Sequence, residues 1–193
     1  MTNTLKTLSA ICLLLASHAG LAHWQINPDL SQVNFTTIKA DHVAETHRFK
    51  SVKGNLTAEG ELSISIDLAS VDTLIPIRDE RMQNILFQTE LFPVATFTAT
   101  IDPGLIDSLS VGNSQIVDVT GQLTIRDQVQ TVTFKTLATR VKARAVLVTT
   151  VQPAILNAGS FALVDGVNQL KEIAGLPSIS HAVPLTFTIT FAG

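Results

Sequence analysis

The chain has 193 residues, 46% of them hydrophobic, and 13 lysines and arginines against 16 aspartates and glutamates give a formal net charge of −3. That length suits one domain with a core of its own. An acidic chain without a basic cluster argues against nucleic-acid binding, which rests on phosphate neutralisation, and against electrostatic docking on anionic lipid.

The first 22 residues read as an export signal. Lys6 supplies the positive start, Leu8 to Ala16 the apolar stretch, and Gly20-Leu21-Ala22 a small-x-small cleavage site. The apolar stretch is far short of the roughly 20 residues that span a bilayer, so no stable membrane insertion is expected. Ile11 is the wrong residue before Cys12 for lipoprotein processing. Cleavage after Ala22 leaves a domain over 23–193, periplasmic or secreted, without cysteine and hence without a disulfide.

From Ser31 onward the sequence predicts strand after strand. Val33 and Phe35 alternate with Gln32, Asn34 and Thr36, and a second strand follows from about Glu45 to Asn55. Leu62, Ile64, Ile66 and Leu68 alternate with polar residues in the third. A turn through Asp72-Thr73 and Pro76 leads into a helix from Arg78 to Phe87, with Met82, Ile85 and Leu86 at i, i+3, i+4. Phe92-Pro93 stops it, because the residue before proline avoids helical geometry. The fourth strand puts Ala95, Phe97, Ala99 and Ile101 on one face.

Val117, Val119, Gly121, Leu123 and Ile125 share a face of the fifth strand, and its hairpin partner carries Val132 and Phe134 after a turn near Asp127-Gln128. The seventh strand runs from Ala143 to Val151. A second helix is predicted with Asp165 as N-cap, Val167, Leu170 and Ala174 on one face, and Gly175 and Pro177 as its stop. The last strand alternates without error through Val183, Leu185, Phe187, Ile189 and Phe191. Such a chain is all-β, an antiparallel barrel or a sandwich. An outer-membrane barrel needs aromatic girdles, and this chain has no tyrosine and one tryptophan.

Three stretches carry a family resemblance: Ser70-Val71-Asp72-Thr73, then Arg78-Asp79-Glu80-Arg81-Met82, then Leu91-Phe92-Pro93-Val94-Ala95-Thr96-Phe97. Val33-Asn34-Phe35 with Phe49-Lys50 and Gly54, and Val119 to Ile125, add to it in the same order along the chain. The sequence is similar to the YceI-like family of exported lipid-binding proteins. The resemblance implies a single up-and-down antiparallel barrel of about eight strands, lipocalin-like, with two short helices capping or flanking it. It also implies a polyisoprenoid or isoprenoid quinone as ligand.

A barrel of eight strands is just wide enough to be filled by side chains or to hold one small ligand. Small residues at Ala95, Ala99 and Gly121 among large ones leave both readings open, and the resemblance favours an apolar lumen capped by the 78–87 helix. The residues expected to meet a ligand are Phe35, Leu62, Ile64, Ile66, Met82, Ile85, Leu86, Phe97, Ala99, Phe134, Phe187 and Ile189, with Arg78 at the mouth. A headgroup for Arg78 competes with its pairing to a carboxylate such as Asp72.

Nothing in the sequence assembles a catalyst. There is no G-x-S-x-G elbow, no phosphate-binding G-x-x-x-x-G-K and no H-E-x-x-H helix. His42 and His47 fall on opposite faces of a strand, so they read as surface or rim side chains rather than as a metal site. No enzyme activity, cofactor or metal is expected. A filled-core protein without ligand and a barrel enzyme acting on lipid remain the alternatives, and a homodimer and a membrane donor or acceptor protein stay open as partners.

Overall fold

The alternating stretches pair as antiparallel strands that close on themselves. The computed structural model describes residues 24–40 and 42–193, and the expected export segment lies outside the described residues. The strands are β1 (Trp24–Ile26), β2 (Gln32–Lys39), β3 (Val43–Phe49), β4 (Val52–Leu56), β5 (Glu61–Asp67) and β6 (Val71–Asp72). They continue with β7 (Val94–Thr100), β8 (Ser114–Ile125), β9 (Gln128–Lys142), β10 (Ala145–Thr150), β11 (Ala154–Asn157) and β12 (Ala182–Ala192).

Eight of them form the closed ring, in the order β1-β4-β5-β7-β8-β9-β10-β12, with β12 returning to β1. Closure removes the two outer edges that an open sheet of these strands would carry. Strand β12 is long enough to serve two sets of partners. Its C-terminal half lies between β10 and β1, and its N-terminal half between β11 and β2. Strand β2 resumes β1 after the 3-10 turn Pro28–Leu30, and β3 and β6 extend the sheet beyond it.

The period-2 pattern sets the register. Ile64 pairs Phe97, Phe97 pairs Leu123 and Val119 pairs Phe134, so apolar residues meet on the inner face. Threonines take the outer one, where Thr120 and Thr133 share a hydrogen bond of 2.8 Å. Phe35, Phe97, Phe134, Ile189 and Phe191 are all buried.

The helices differ from the sequence reading in instructive ways. The first, α1 (Pro76–Arg81), begins two residues before Arg78 because Pro76 takes the first helical position, where its missing N–H costs nothing. It continues as a π-helix, Met82–Phe87, and ends at Gln88 with φ 53°. A further helix, α2 (Gly104–Ser108), was not foreseen, since one turn is too short for a periodicity to show. The third, α3 (Val164–Ile173), starts two residues earlier than expected, with Leu163 at the cap position, so Asp165 sits in its first turn beside the positive dipole end and is not the cap. Gly175 ends it with φ 63°, as the sequence predicts.

The β8–β9 turn falls on Arg126-Asp127, because Ile125 pairs Gln128. Arg126 takes φ 57°, and its guanidinium reaches Ala162 O at 3.1 Å and Gln88 Oε1 at 3.0 Å while lying over the Phe92 ring. The hairpin is thereby tied to the segments that close this end of the barrel.

Candidate functional site

The inner faces of β2, β4, β5, β7, β8, β9, β10 and β12 enclose an apolar lumen of about 110 Å³. Leu62, Ile64 and Ile66 line one wall, Val117, Val119 and Leu123 the next, and Val146, Val148, Leu185 and Ile189 the opposite side. Thr136 is the one lining residue with a polar side chain, and it is buried. Its Oγ1 donates to Val117 O at 2.8 Å, so the hydroxyl proton is already engaged. A cavity with such walls stays dry and takes apolar guests.

Three phenylalanines cross the lumen edge to face. Phe97 and Phe134 lie 5.2 Å apart between centroids at 75°, and Phe134 and Phe187 lie 5.4 Å apart at 76°. Gly121 makes this possible. A Cβ there would fall 2.6 Å from Phe97 Cζ and 2.3 Å from Thr98 O. The room that the sequence reading assigned to Gly121 is therefore filled by the Phe97 ring.

Both ends of the barrel are covered. Where β7 stops and β8 begins, α2 turns Leu105 and Ile106 into the lumen, with Leu109 just beyond, and Arg140 Nη1 donates to Ile106 O at 2.7 Å. At the opposite end, α1 and its π-turn cross α3. The crossing is close, because a Cβ on Gly166 would fall 3.0 Å from Leu86 Cα.

The covering helix is fastened by the same residues that carry the family motifs. Asp79 Oδ1 accepts from Thr73 N at 2.8 Å, and Arg78 Nη2 donates to Thr73 O at 2.7 Å. Asp72 accepts from Arg48 at 2.9 Å and from Leu74 N at 3.1 Å, and these bonds, the backbone one foremost, hold its carboxyl below the usual range. Gln83 Nε2 donates to Ala69 O at 2.9 Å.

Of the residues expected to meet a ligand, Leu62, Ile64, Ile66, Phe97, Phe134, Phe187 and Ile189 line the lumen. Phe35, Met82, Ile85, Leu86 and Ala99 stand outside that lining. Phe35 packs on His47 and Phe49, each with centroids 5.3 Å away, and Met82 and Leu86 are buried under the crossing helices.

Arg78 is turned to β3, in the extension of the sheet past the barrel. Its Nη1 donates to Glu45 Oε2 at 2.8 Å, and Lys39 Nζ lies 2.6 Å from the same oxygen. The Lys39 hydrogen bond, followed by Arg78, holds Glu45 below the usual carboxylate range despite partial burial. Its partner is thus Glu45, while Asp72 pairs with Arg48. His47 is no rim residue. It is 4% exposed, with Nε2 3.0 Å from Thr37 Oγ1 and Nδ1 without a partner. Burial, reinforced by the Arg78 cation, lowers its pKa.

The sequence reading missed the α2 contribution. Leu105, Ile106 and Leu109 form an apolar i, i+1, i+4 set after Pro103, a signal that was present but short. Among the described residues no three His, Cys, Asp or Glu side chains gather where they could share a metal ion. No described helix is long and apolar enough to cross a membrane.

A family model for the YceI-like domain matches residues 24–191. A polyisoprenoid-binding domain from Saccharophagus degradans, implicated in plant cell wall breakdown, is 32% identical, with a TM-score of 0.86 over 90% of this chain and 99% of its own. BcnA of Burkholderia cenocepacia shares the fold at 21% identity, with a TM-score of 0.64 over 86% and 98% of the two chains. The YceI protein of Campylobacter jejuni shares it at 16% identity, with a TM-score of 0.54 over 75% and 82%. No curated protein matches the chain. With the family model matching residues 24–191 and a 32% identical relative matching 90% of the chain, the protein belongs to the YceI-like family.

Proposed function

We propose that the protein binds a long apolar lipid of isoprenoid type, a polyisoprenoid or an isoprenoid quinone, in the barrel lumen, and acts as an exported carrier or sequestering protein. The observation that carries this reading is the lining, apolar throughout except for a Thr136 hydroxyl whose proton is engaged. The Saccharophagus degradans relative, a polyisoprenoid-binding domain, supports the ligand class. The N-terminal pattern of Lys6, an apolar stretch and Gly20-Leu21-Ala22 supports export.

The energetics suit an uncharged chain. A lumen of about 110 Å³ must widen as such a chain enters, and burying on the order of 20 hydrocarbon carbons at ~0.8 kcal/mol each then gives a gross term above about 10 kcal/mol. Association and chain ordering take back several kcal/mol or more. Useful affinity remains, with little discrimination between chains of similar cross-section. The lining offers no ionisable group to act as acid, base or nucleophile, which favours a binding role over catalysis.

Exchange from vesicles tests the reading. Protein incubated with phosphatidylcholine vesicles carrying an isoprenoid quinone, then re-isolated by gel filtration, should retain quinone in proportion to protein and no phospholipid. Protein that emerges with neither, or with phospholipid alone, would remove the isoprenoid assignment.

A further inference from the structure

The barrel wall is a hydrogen-bonded ladder over most of its length and gaps where strands diverge, along Ser114 to Thr120 of β8, beside α2, and between β9 and β11. Strand β10 pairs β9 only as far as Thr150 with Thr136, and the last backbone bond runs from Val151 N to Lys135 O at 2.8 Å. Beyond it, the first half of β9 pairs β8 on one side and has no strand on the other. Strand β11 likewise pairs β12 on one side alone. These two unpaired edges face each other across a slot of about 510 Å³, lined by β9 from Gln130 to Thr133, by β11, and by Ser160 and Phe161.

The spacing decides what the slot is for. Cα atoms of β9 and β11 come within 8 Å, yet the strands form no ladder. A further strand between them would need about twice the 4.8 Å ladder spacing, so an added peptide does not fit without spreading the edges. Among the described residues the side-chain ties beside the seam run to the turn that follows β11, Gln130 Nε2 to Ser160 O at 3.0 Å and Arg126 Nη1 to Ala162 O at 3.1 Å. The slot has exposed Ile155 on its lip and Val132, Leu156 and Phe161 on its inner wall. The lumen is the next layer: Phe134 follows Val132 on the inner face of β9, and Leu185 pairs Ala154.

Both ends of the barrel offer poorer routes. One is closed by α2 and the other by the crossed helices with their Thr73, Glu45 and Ala69 bonds. Opening any ladder in the wall breaks several backbone hydrogen bonds together, whereas parting β9 from β11 breaks none.

We propose that the seam between β9 and β11 is a lateral door through which the apolar chain enters and leaves the lumen. The proposal rests on the lumen-binding reading above. An apolar chain passing sideways slides along Ile155, Val132 and Leu156 into contact with Phe134 and Phe187 without traversing the charged cluster around Arg78.

A reversible bridge tests it. In full-length protein with Cys12 replaced by serine, Thr131→Cys and Ile155→Cys place one thiol on each edge, to be joined by a short bis-methanethiosulfonate. Uptake of all-trans-retinol from phosphatidylcholine vesicles, and its release to empty vesicles, are followed by retinol fluorescence. Bridging should slow both rates about tenfold or more, as closing a gate does. The amount bound at saturation should be unchanged, and dithiothreitol should restore the rates. Gln130→Ala, which removes one side-chain tie and needs no cysteine, should speed both.

Unaltered rates after bridging, or after Gln130→Ala, would overturn the door and leave the lumen reading intact. A bridge that lowers the saturating amount instead would make the slot part of the site and equally overturn the door. Unmodified protein that takes up no retinol would remove the lumen reading, and the door with it, before any bridge is made.

Discussion

Arg78 Nη1 donates to Glu45 Oε2 at 2.8 Å across 33 residues of sequence, joining the covering helix to β3 in the extension of the sheet past the barrel. With Asp79 on Thr73 and Arg78 on the Thr73 carbonyl, the residues that give the sequence its family resemblance form a clasp. The pair is only partly buried, with side chains 25% and 33% exposed, so screening limits its worth. Arg78→Ala should lower stability by about 1 kcal/mol, adding the lost carbonyl bond to a weak ion pair. Chemical denaturation of wild type and variant measures this.

The same clasp has an acid limit. Glu45 sits below its ordinary carboxylate value, so its contribution is present above the unfolded value of 4.5 and is lost as pH falls through the lower folded value. Glu45→Gln should be less stable than wild type near neutrality, where that contribution is present, and should lack the loss in the acidic window, so that the two profiles converge at low pH. Urea midpoints taken from about pH 6 downward, a range that begins well above the ordinary carboxylate value, distinguish the two.

His47 acts in a different window. Its folded pKa is lowered from 6.5 by burial, so the unfolded chain takes up a proton that the folded chain refuses. Stability should therefore begin to fall as pH drops below 6.5 and stop falling once the folded imidazole is itself protonated. His47→Phe keeps a ring against Phe35 and should abolish this step, which thermal melts across the range would reveal.

Much of the architecture was legible because strands with one buried face write themselves as a period of two. Leu62 to Ile66, Ala95 to Ala99 and Val183 to Phe191 needed nothing more. What stayed hidden was short or depended on distant partners. The single turn of α2 and the four residues of β11 are below the length at which periodicity is informative. The partner of Arg78 was equally hidden, because pairing with Glu45 follows from the β2–β3 extension past the barrel rather than from any local spacing. Gly121 shows the same limit. A small residue on an inner face marks either space or a neighbour's ring, and here it is the ring of Phe97.

Gly121→Ala turns that contact into a measurable strain. The new methyl would meet a backbone oxygen, Thr98 O, at 2.3 Å, and the Phe97 ring cannot yield without moving across the lumen. Overpacking of this kind costs about 1–3 kcal/mol. Denaturation should show that loss, and a variant as stable as wild type would mean that the strand and ring relax freely.

The central claim is that the lumen holds an isoprenoid-type chain, and the most direct measurement is mass spectrometry of the organic extract from purified wild-type protein beside Ala138→Phe. Ala138 is buried and lines the lumen, so the added ring enters space that the chain would occupy. Wild type should yield a prenyl lipid or isoprenoid quinone near one per chain. The variant should yield little, while its melting temperature stays close to wild type, because filling a cavity avoids the roughly 1–3 kcal/mol of overpacking. A wild-type extract without any prenyl lipid, or a variant that keeps its full load, would contradict the claim.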